Sequence, residues 1–199
     1  AFGRDALRHN VSSSNNTAIG DQALRVSTAA NNTAVGKDSL KANTTGVSNT
    51  AVGNLALTTI TSGGSCVAIG DSALKVNTNS GNTAVGKSAL EANTIGGYQV
   101  AVGFEALKAN TTGVENTAVG HSALKVNTTG TDNTVVGNQA GVAATTASSN
   151  NLFGDSAGEA LTTGGNNSAF GKWALKTATT AEYNCAFGVN ALRRSTSGT

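Results

Sequence analysis

Short apolar runs and polar corners alternate along this chain on a fixed beat. Thr-Ala-Val or a close variant recurs from one end to the other, each time followed by a Gly, two variable residues, an Ala-Leu pair and a polar stretch close to Asn-Thr-Thr-Gly. The Gly closing each triplet is Gly3, Gly20, Gly36, Gly53, Gly70, Gly86, Gly103, Gly120, Gly137, Gly154, Gly171 and Gly188, at intervals of 17 residues except for two of 16, Gly20 to Gly36 and Gly70 to Gly86. Gly103 to Val119, GFEALKANTTGVENTAV, shows one unit whole. Self-similarity at a constant period marks a repeat architecture, in which every unit leans on its neighbours. Twelve such units occupy residues 1–199, so the chain reads as one continuous array with no room for a second domain.

Seventeen residues are too few for a helix pair, since helical repeats run from about 33 residues upward. The pattern predicts an all-β fold, a parallel β-solenoid of twelve coils. Thr-Ala-Val supplies one short strand, Ala-Leu a second, and Asn-Thr-Thr-Gly a corner whose Asn and Gly tolerate positive φ. Coils stacked about 4.8 Å apart over eleven intervals make a rod roughly 53 Å long. The residue missing from each 16-residue unit falls beside the corner, where a loop absorbs what would put a strand out of register.

Equivalent residues of a solenoid stack into columns along the rod. The bulky column before the Gly, which is Ile19, Val35, Val52, Ile69, Val85, Val102, Val119, Val136, Phe153, Phe170 and Phe187, is expected to be the core ladder, joined by the Leu four residues after the Gly. Gly20, Gly36, Gly53, Gly70, Gly86, Gly103, Gly120, Gly137, Gly154, Gly171 and Gly188 are its turn glycines. Gly141 and Gly158 replace that Leu in two units, which predicts locally thinner coils there. Strand residues alternate faces, so if Val points inward the Ala before it points to a neighbour. A column held that small implies close approach by another chain, and hence an oligomer.

Composition narrows the classes further. With 25 Gly, no Pro, no Met, 4% aromatic and 12% charged residues, against about 25% charged in ordinary domains, the chain is unlike an enzyme fold. Its 38% hydrophobic content and net charge of +2 exclude a disordered segment. No apolar stretch is long enough to insert in a membrane. There is no initiator Met and no basic-then-apolar leader, which reads as a fragment of a longer fibre.

Two columns carry candidate chemistry. Thr eight after the Gly recurs from Thr28 to Thr179, as a structural hydrogen-bonded ladder or as an ice-binding face; the latter lacks the second Thr two residues away. Arg25, Lys41, Lys75, Lys108, Lys125 and Lys176, five after the Gly, form a possible surface-binding ladder. Like charges at coil spacing must be solvated, and the column reads either as a solubilising face or as a track for a polyanion. Glu91 and Glu159 interrupt it and no aromatics are interleaved, so no nucleic acid is expected. Asn-x-Ser/Thr triplets begin at Asn10, Asn15, Asn31, Asn43, Asn110, Asn127 and Asn166; Asn and Thr are corner residues in any case, and the triplets follow from composition. His9 and His121 lie too many coils apart to share a metal, the Asp residues beside the Gly form no paired-carboxylate cleft, and Cys66 and Cys185 read as two small buried residues that cannot pair. No catalytic residue, cofactor or metal is expected.

The recurrent Asn-Thr-Ala-Val-Gly-x-x-Ala-Leu, as in Asn82 to Leu90 and Asn116 to Leu124, resembles the Ser-Val-Ala-Ile-Gly repeats of YadA-like trimeric adhesin heads. It is even more similar to the NTAVG repeats in tail-fibre and surface proteins of phages and algal viruses. The resemblance covers the whole chain and implies a left-handed β-roll assembled as a homotrimer. The extra Asn-Thr-Thr-Gly corner departs from the family's shorter coil. The function expected is a structural or adhesive extracellular fibre shaft, on a virion tail or a cell surface, with the chain itself as partner, as homotrimer or end-to-end fibre, and cell-surface glycan as a possible second one. The alternative is a monomeric or filamentous surface protein binding glycan or ice along one ladder.

Overall fold

Each Thr-Ala-Val run forms a strand, and every strand is three residues long. The structure, a computed structural model, describes residues 1–195. Its strands are β1 (Thr17–Ile19), β2 (Thr33–Val35), β3 (Thr50–Val52), β4 (Val67–Ile69), β5 (Thr83–Val85), β6 (Val100–Val102), β7 (Thr117–Val119), β8 (Thr134–Val136), β9 (Asn151–Phe153), β10 (Ser168–Phe170) and β11 (Cys185–Phe187). They pair in chain order as one parallel eleven-stranded sheet, and an isolated bridge from Phe2 to Ile19 extends it by one rung. This is a β-solenoid with coils of about 17 residues, and no helix occurs among the described residues.

Registration is strict, with like above like: Thr33 pairs with Thr50, Ala34 with Ala51 and Val35 with Val52. Both 16-residue units keep it, since Thr17 still pairs with Thr33 and Val67 with Thr83. The shortening is absorbed at the corner between strands, where Thr28 N still donates to Thr44 O at 2.9 Å and Thr78 N to Thr94 O at 2.9 Å.

The phase of the strands is the reverse of the sequence expectation. In every strand the middle residue is buried and its two neighbours are not. Ala34, Ala51, Ala68, Ala84, Ala101 and Ala118 have no exposed surface, whereas the expected core ladder of Ile19, Val35, Val52, Ile69, Val85, Val102, Val119, Val136, Phe153, Phe170 and Phe187 points outward, half-buried or exposed. The cause is volume. Leu24, Leu40, Leu57, Leu74, Leu90, Leu107 and Leu124 fill the interior from the other wall and belong to the same cluster as the Ala column. Protein interiors pack to crystal density, so the facing strand has room for a methyl group and no more.

The expected second strand, Ala-Leu, is a run of turns. Leu107 has φ of 50° and Glu105 has φ of 55°, and the same left-handed pair recurs in coil after coil. Backbone at these angles cannot follow a pleat, but it still bonds to both neighbours: Leu107 N donates forward to Ala123 O at 3.0 Å, and Glu105 N donates backward to Lys87 O at 3.0 Å. Left-handed geometry costs a branched residue roughly 1–2 kcal/mol. Burying the Leu side chain returns about 1.5–3 kcal/mol, enough to hold it there.

Gly141 and Gly158 take the Leu position at φ of 56° and 60°. The expected thin coils do not occur. A Cβ on Gly141 would lie 3.2 Å from Leu152 Cδ1 and 3.1 Å from Leu124 Cδ2, and one on Gly158 only 2.9 Å from Leu152 Cδ1. Leu152 stands in the strand's Ala column and fills the space of both missing leucines.

Asn, a corner residue in the sequence reading, is an interior residue here. Asn32, Asn49, Asn82, Asn116, Asn133 and Asn167 are fully buried. Each side-chain oxygen accepts the backbone N–H of the equivalent residue one coil on, as from Asn49 N to Asn32 Oδ1 at 2.9 Å and from Asn150 N to Asn133 Oδ1 at 3.1 Å. The amides donate to corner carbonyls, as from Asn116 Nδ2 to Gly130 O at 2.8 Å. A second ladder runs through Asn77, Asn93, Asn110 and Asn127, joined Nδ2 to Oδ1 at 2.8, 2.8 and 3.1 Å. A buried amide left unbonded costs about 1–3 kcal/mol, so these ladders tie each coil to the next and disfavour any slip.

Candidate functional site

Because the strands turn their Val side out, the sheet presents a flat surface of two outward columns. One is the Val, Ile and Phe column; the other, two residues earlier on the same side of the strand, is Thr17, Thr33, Thr50, Val67, Thr83, Val100, Thr117, Thr134, Asn151, Ser168 and Cys185. Neither contains a charged residue. Ile19 is 46% exposed, Ile69 40% and Phe187 65%. At the C-terminal end Phe153, Phe170 and Phe187 stack face to face, with ring centroids 4.8 and 4.7 Å apart. Hydroxyls of the Thr residues on this face make no hydrogen bond among the described residues. Cys185 is exposed on the same face, which corrects the expectation that both cysteines are buried; Cys66 is buried, and burial pushes its thiol pKa up.

Turn glycines Gly20 to Gly171 hold the end of each strand at strongly positive φ, with each glycine's α-carbon against the carbonyl of the next. At Gly103 an added Cβ would stand 2.6 Å from the carbonyl carbon of Gly120, so no side chain fits.

The Thr column eight after the Gly commits most of its hydroxyls to the next coil. Thr28 Oγ1 donates to Thr44 O at 3.1 Å, Thr94 Oγ1 to Thr111 O at 2.9 Å and Thr162 Oγ1 to Thr179 O at 2.9 Å. That ladder is structural, with no open row of donors for ice or sugar.

The basic ladder is partly self-neutralised. Lys41 pairs with Asp38 at 3.0 Å, Lys176 with Glu159 at 3.1 Å, and Lys108 and Lys125 both with Glu105 at 2.7 Å. The two ammonium groups, through their hydrogen bonds, lower the Glu105 pKa to about 2 from its ordinary 4.5. Arg25 donates only to the neutral Gln22, at 3.2 Å, and its Nε has no partner. Lys75 has no ion pair among the described residues. Beside these cations run two open troughs. One, of about 600 Å³, is floored by Val76, Ala92, Ala109 and Val126; the other, of about 440 Å³, lies along Arg25, Val26, Lys41 and Ala42.

Remaining polar candidates do not converge. His121 stacks on Phe104 at 5.3 Å, and the described residues hold no group of three or more His, Cys, Asp or Glu placed to bind a metal. Of the Asn-x-Ser/Thr triplets, Asn110 and Asn127 are buried in the second Asn ladder and Asn43 is buried apart from it, donating to Gly46 O at 2.9 Å, while Asn15, Asn31 and Asn166 are exposed at positive φ. Comparison with protein-family models, curated proteins and solved structures finds no match to this chain.

Proposed function

We propose that the chain is the shaft of an extracellular fibre, on a virion or a cell surface, and that three copies associate along the outward face of the sheet. One observation carries this reading: a strip of Val, Ile and Phe without a single charge runs the length of the rod beside a column of unbonded Thr hydroxyls. Monomeric soluble proteins rarely expose a contiguous apolar surface of such extent, and large patches of this kind mark association surfaces. The Ala column, on which the sequence argument for an oligomer rested, is sealed inside the coil; the argument passes to the residues on either side of it. Stoichiometry comes from the resemblance to trimeric adhesin heads. The role is mechanical, a stiff support that repeats any weak surface contact along its length and threefold around it.

Light scattering on the purified chain tests this. Three chain masses are expected, falling to one in Val102→Asp with the circular dichroism of the coil retained; a single chain mass for the unmodified protein overturns it. The unbonded Thr hydroxyls of the sheet face favour one other reading, an ice-binding surface, and a monomer that strongly inhibits ice recrystallisation would establish that instead.

A further inference from the structure

We propose that copies of this chain lie parallel and in step, joined along a seam in which the column just after the turn glycine of one copy meets the column five before the glycine of the next. The proposal deepens the reading of the sheet face as the surface on which copies associate, and rests on it. These two columns border that face, one on each edge: the first lies just past the strand and its Gly, and the second stands two residues ahead of the strand. A ring of copies brings two unlike surfaces together at every contact. Rotation about an axis parallel to the rod also keeps each coil at its own height, so one edge of a coil meets the other edge of the same coil on the neighbour.

The two edges match coil by coil. The column after the Gly is polar from Arg4 onward except at Phe104 and Val189, and the opposite column carries an aromatic ring only at Tyr98 and Tyr183, which belong to the same two coils. Both tyrosines are exposed, at 74% and 72%, and both sit at positive φ, 56° and 58°, a conformation that bulky residues seldom adopt. Phe104 and Val189 are exposed as well. Among the described residues Tyr98 and Phe104 of one chain make no ring contact with each other; across the seam they pair, and Tyr183 pairs with Val189. In the coil that follows Phe104, Glu115 faces His121, a carboxylate against a ring N–H, and no coil opposes like charges. Slipping one copy by a coil destroys the match: one direction sets Asp132 against Asp155, and the other buries Glu115 on Phe104. An antiparallel pair would set each column against itself and lose the match as well.

Cross-linking of the full chain tests the seam. Cys185→Ser removes the exposed thiol and Cys66 is buried, so thiols placed at the seam are the ones that oxidise. Tyr98→Cys combined with Phe104→Cys, oxidised by dioxygen with a copper catalyst, should give a covalent ladder ending at three chain masses on a denaturing gel without reductant. Tyr98→Cys combined with Val189→Cys, five coils or about 24 Å apart along the rod, should stay at one chain mass. Separately, Tyr98→Lys should weaken association roughly tenfold. Adding Phe104→Glu should restore most of it, a gain that misfolding cannot mimic, whereas adding Val189→Glu should not. No cross-link in the matched pair, a link closed inside a single chain, equal linking in the mismatched pair, or no rescue by Phe104→Glu overturns the proposal. Light scattering on the unmodified chain separates this from the assembly itself: three chain masses without the matched cross-link sink the seam alone, two chain masses with it sink only the threefold count, and one chain mass sinks both.

Discussion

In the coil from Gly103 to Val119 the interior is filled from the turn side, by Leu107, while the strand side gives only the methyl of Ala118. In the coil from Gly137 to Phe153 the roles are exchanged: the strand supplies Leu152 and the turn supplies Gly141. The second Asn ladder ends at the same boundary, with Ala144, Leu161 and Ala178 standing where Asn93, Asn110 and Asn127 stand earlier, and Asn127 Oδ1 is left buried without a partner. The charged side of the turns differs too. Glu105, two residues after Gly103, pairs with Lys108 and Lys125, whereas the same position after Gly137 is the neutral Gln139. What the two regions share is interior volume and backbone path. Identity at any one column is therefore exchangeable, provided another column compensates.

The largest test of that exchange is Leu152→Ala, which empties a space serving two coils and should cost 3–5 kcal/mol in denaturant unfolding, at the upper end for Leu deletions. Gly141→Leu alone should cost about 1–3 kcal/mol by overpacking against Leu152, yet stabilise the Leu152→Ala background. Additive effects in the double variant would mean that the two side chains do not share a cavity. Next in size, Ala144→Asn should extend the ladder to the orphaned Asn127 Oδ1 and raise stability by about 1 kcal/mol; a loss would show that Leu161 has taken the room an amide needs.

The smallest effect is electrostatic. The Glu105 carboxyl is held below its ordinary 4.5, at about 2, so its contribution is complete above pH 4.5 and fades as pH falls toward 2. The melting temperature should drop over that window in the unmodified chain and drop less in Glu105→Gln.

Coil length and the place of the Thr-Ala-Val strand were legible in the sequence, because a period of 17 residues that ends on Gly leaves few alternatives; the second strand expected at Ala-Leu was misread, since that segment is a run of turns. The facing of the strand was not read correctly, although the signal was present. Thr33, Thr50, Thr83 and Thr117 lie two residues before the Val and share its side, so an inward Val would bury a column of hydroxyls, whereas an inward Ala buries none. The left-handed Leu was harder to read, since Leu is a poor residue for that conformation; its one sign is the replacement of Leu by Gly at Gly141 and Gly158. The buried Asn ladders were hidden by the ordinary preference of Asn for turns, which says nothing of whether the turn faces water. The trough depends on spacing around the coil, which a linear pattern does not carry.

The shortened corners between Gly20 and Gly36 and between Gly70 and Gly86 have a consequence for how such a rod varies. Strand pairing, Leu packing and the Thr28 and Thr78 backbone bonds all survive the lost residue. A corner can therefore lose a residue in one coil alone, redrawing the outline of the rod at that level while the strands above and below stay in step.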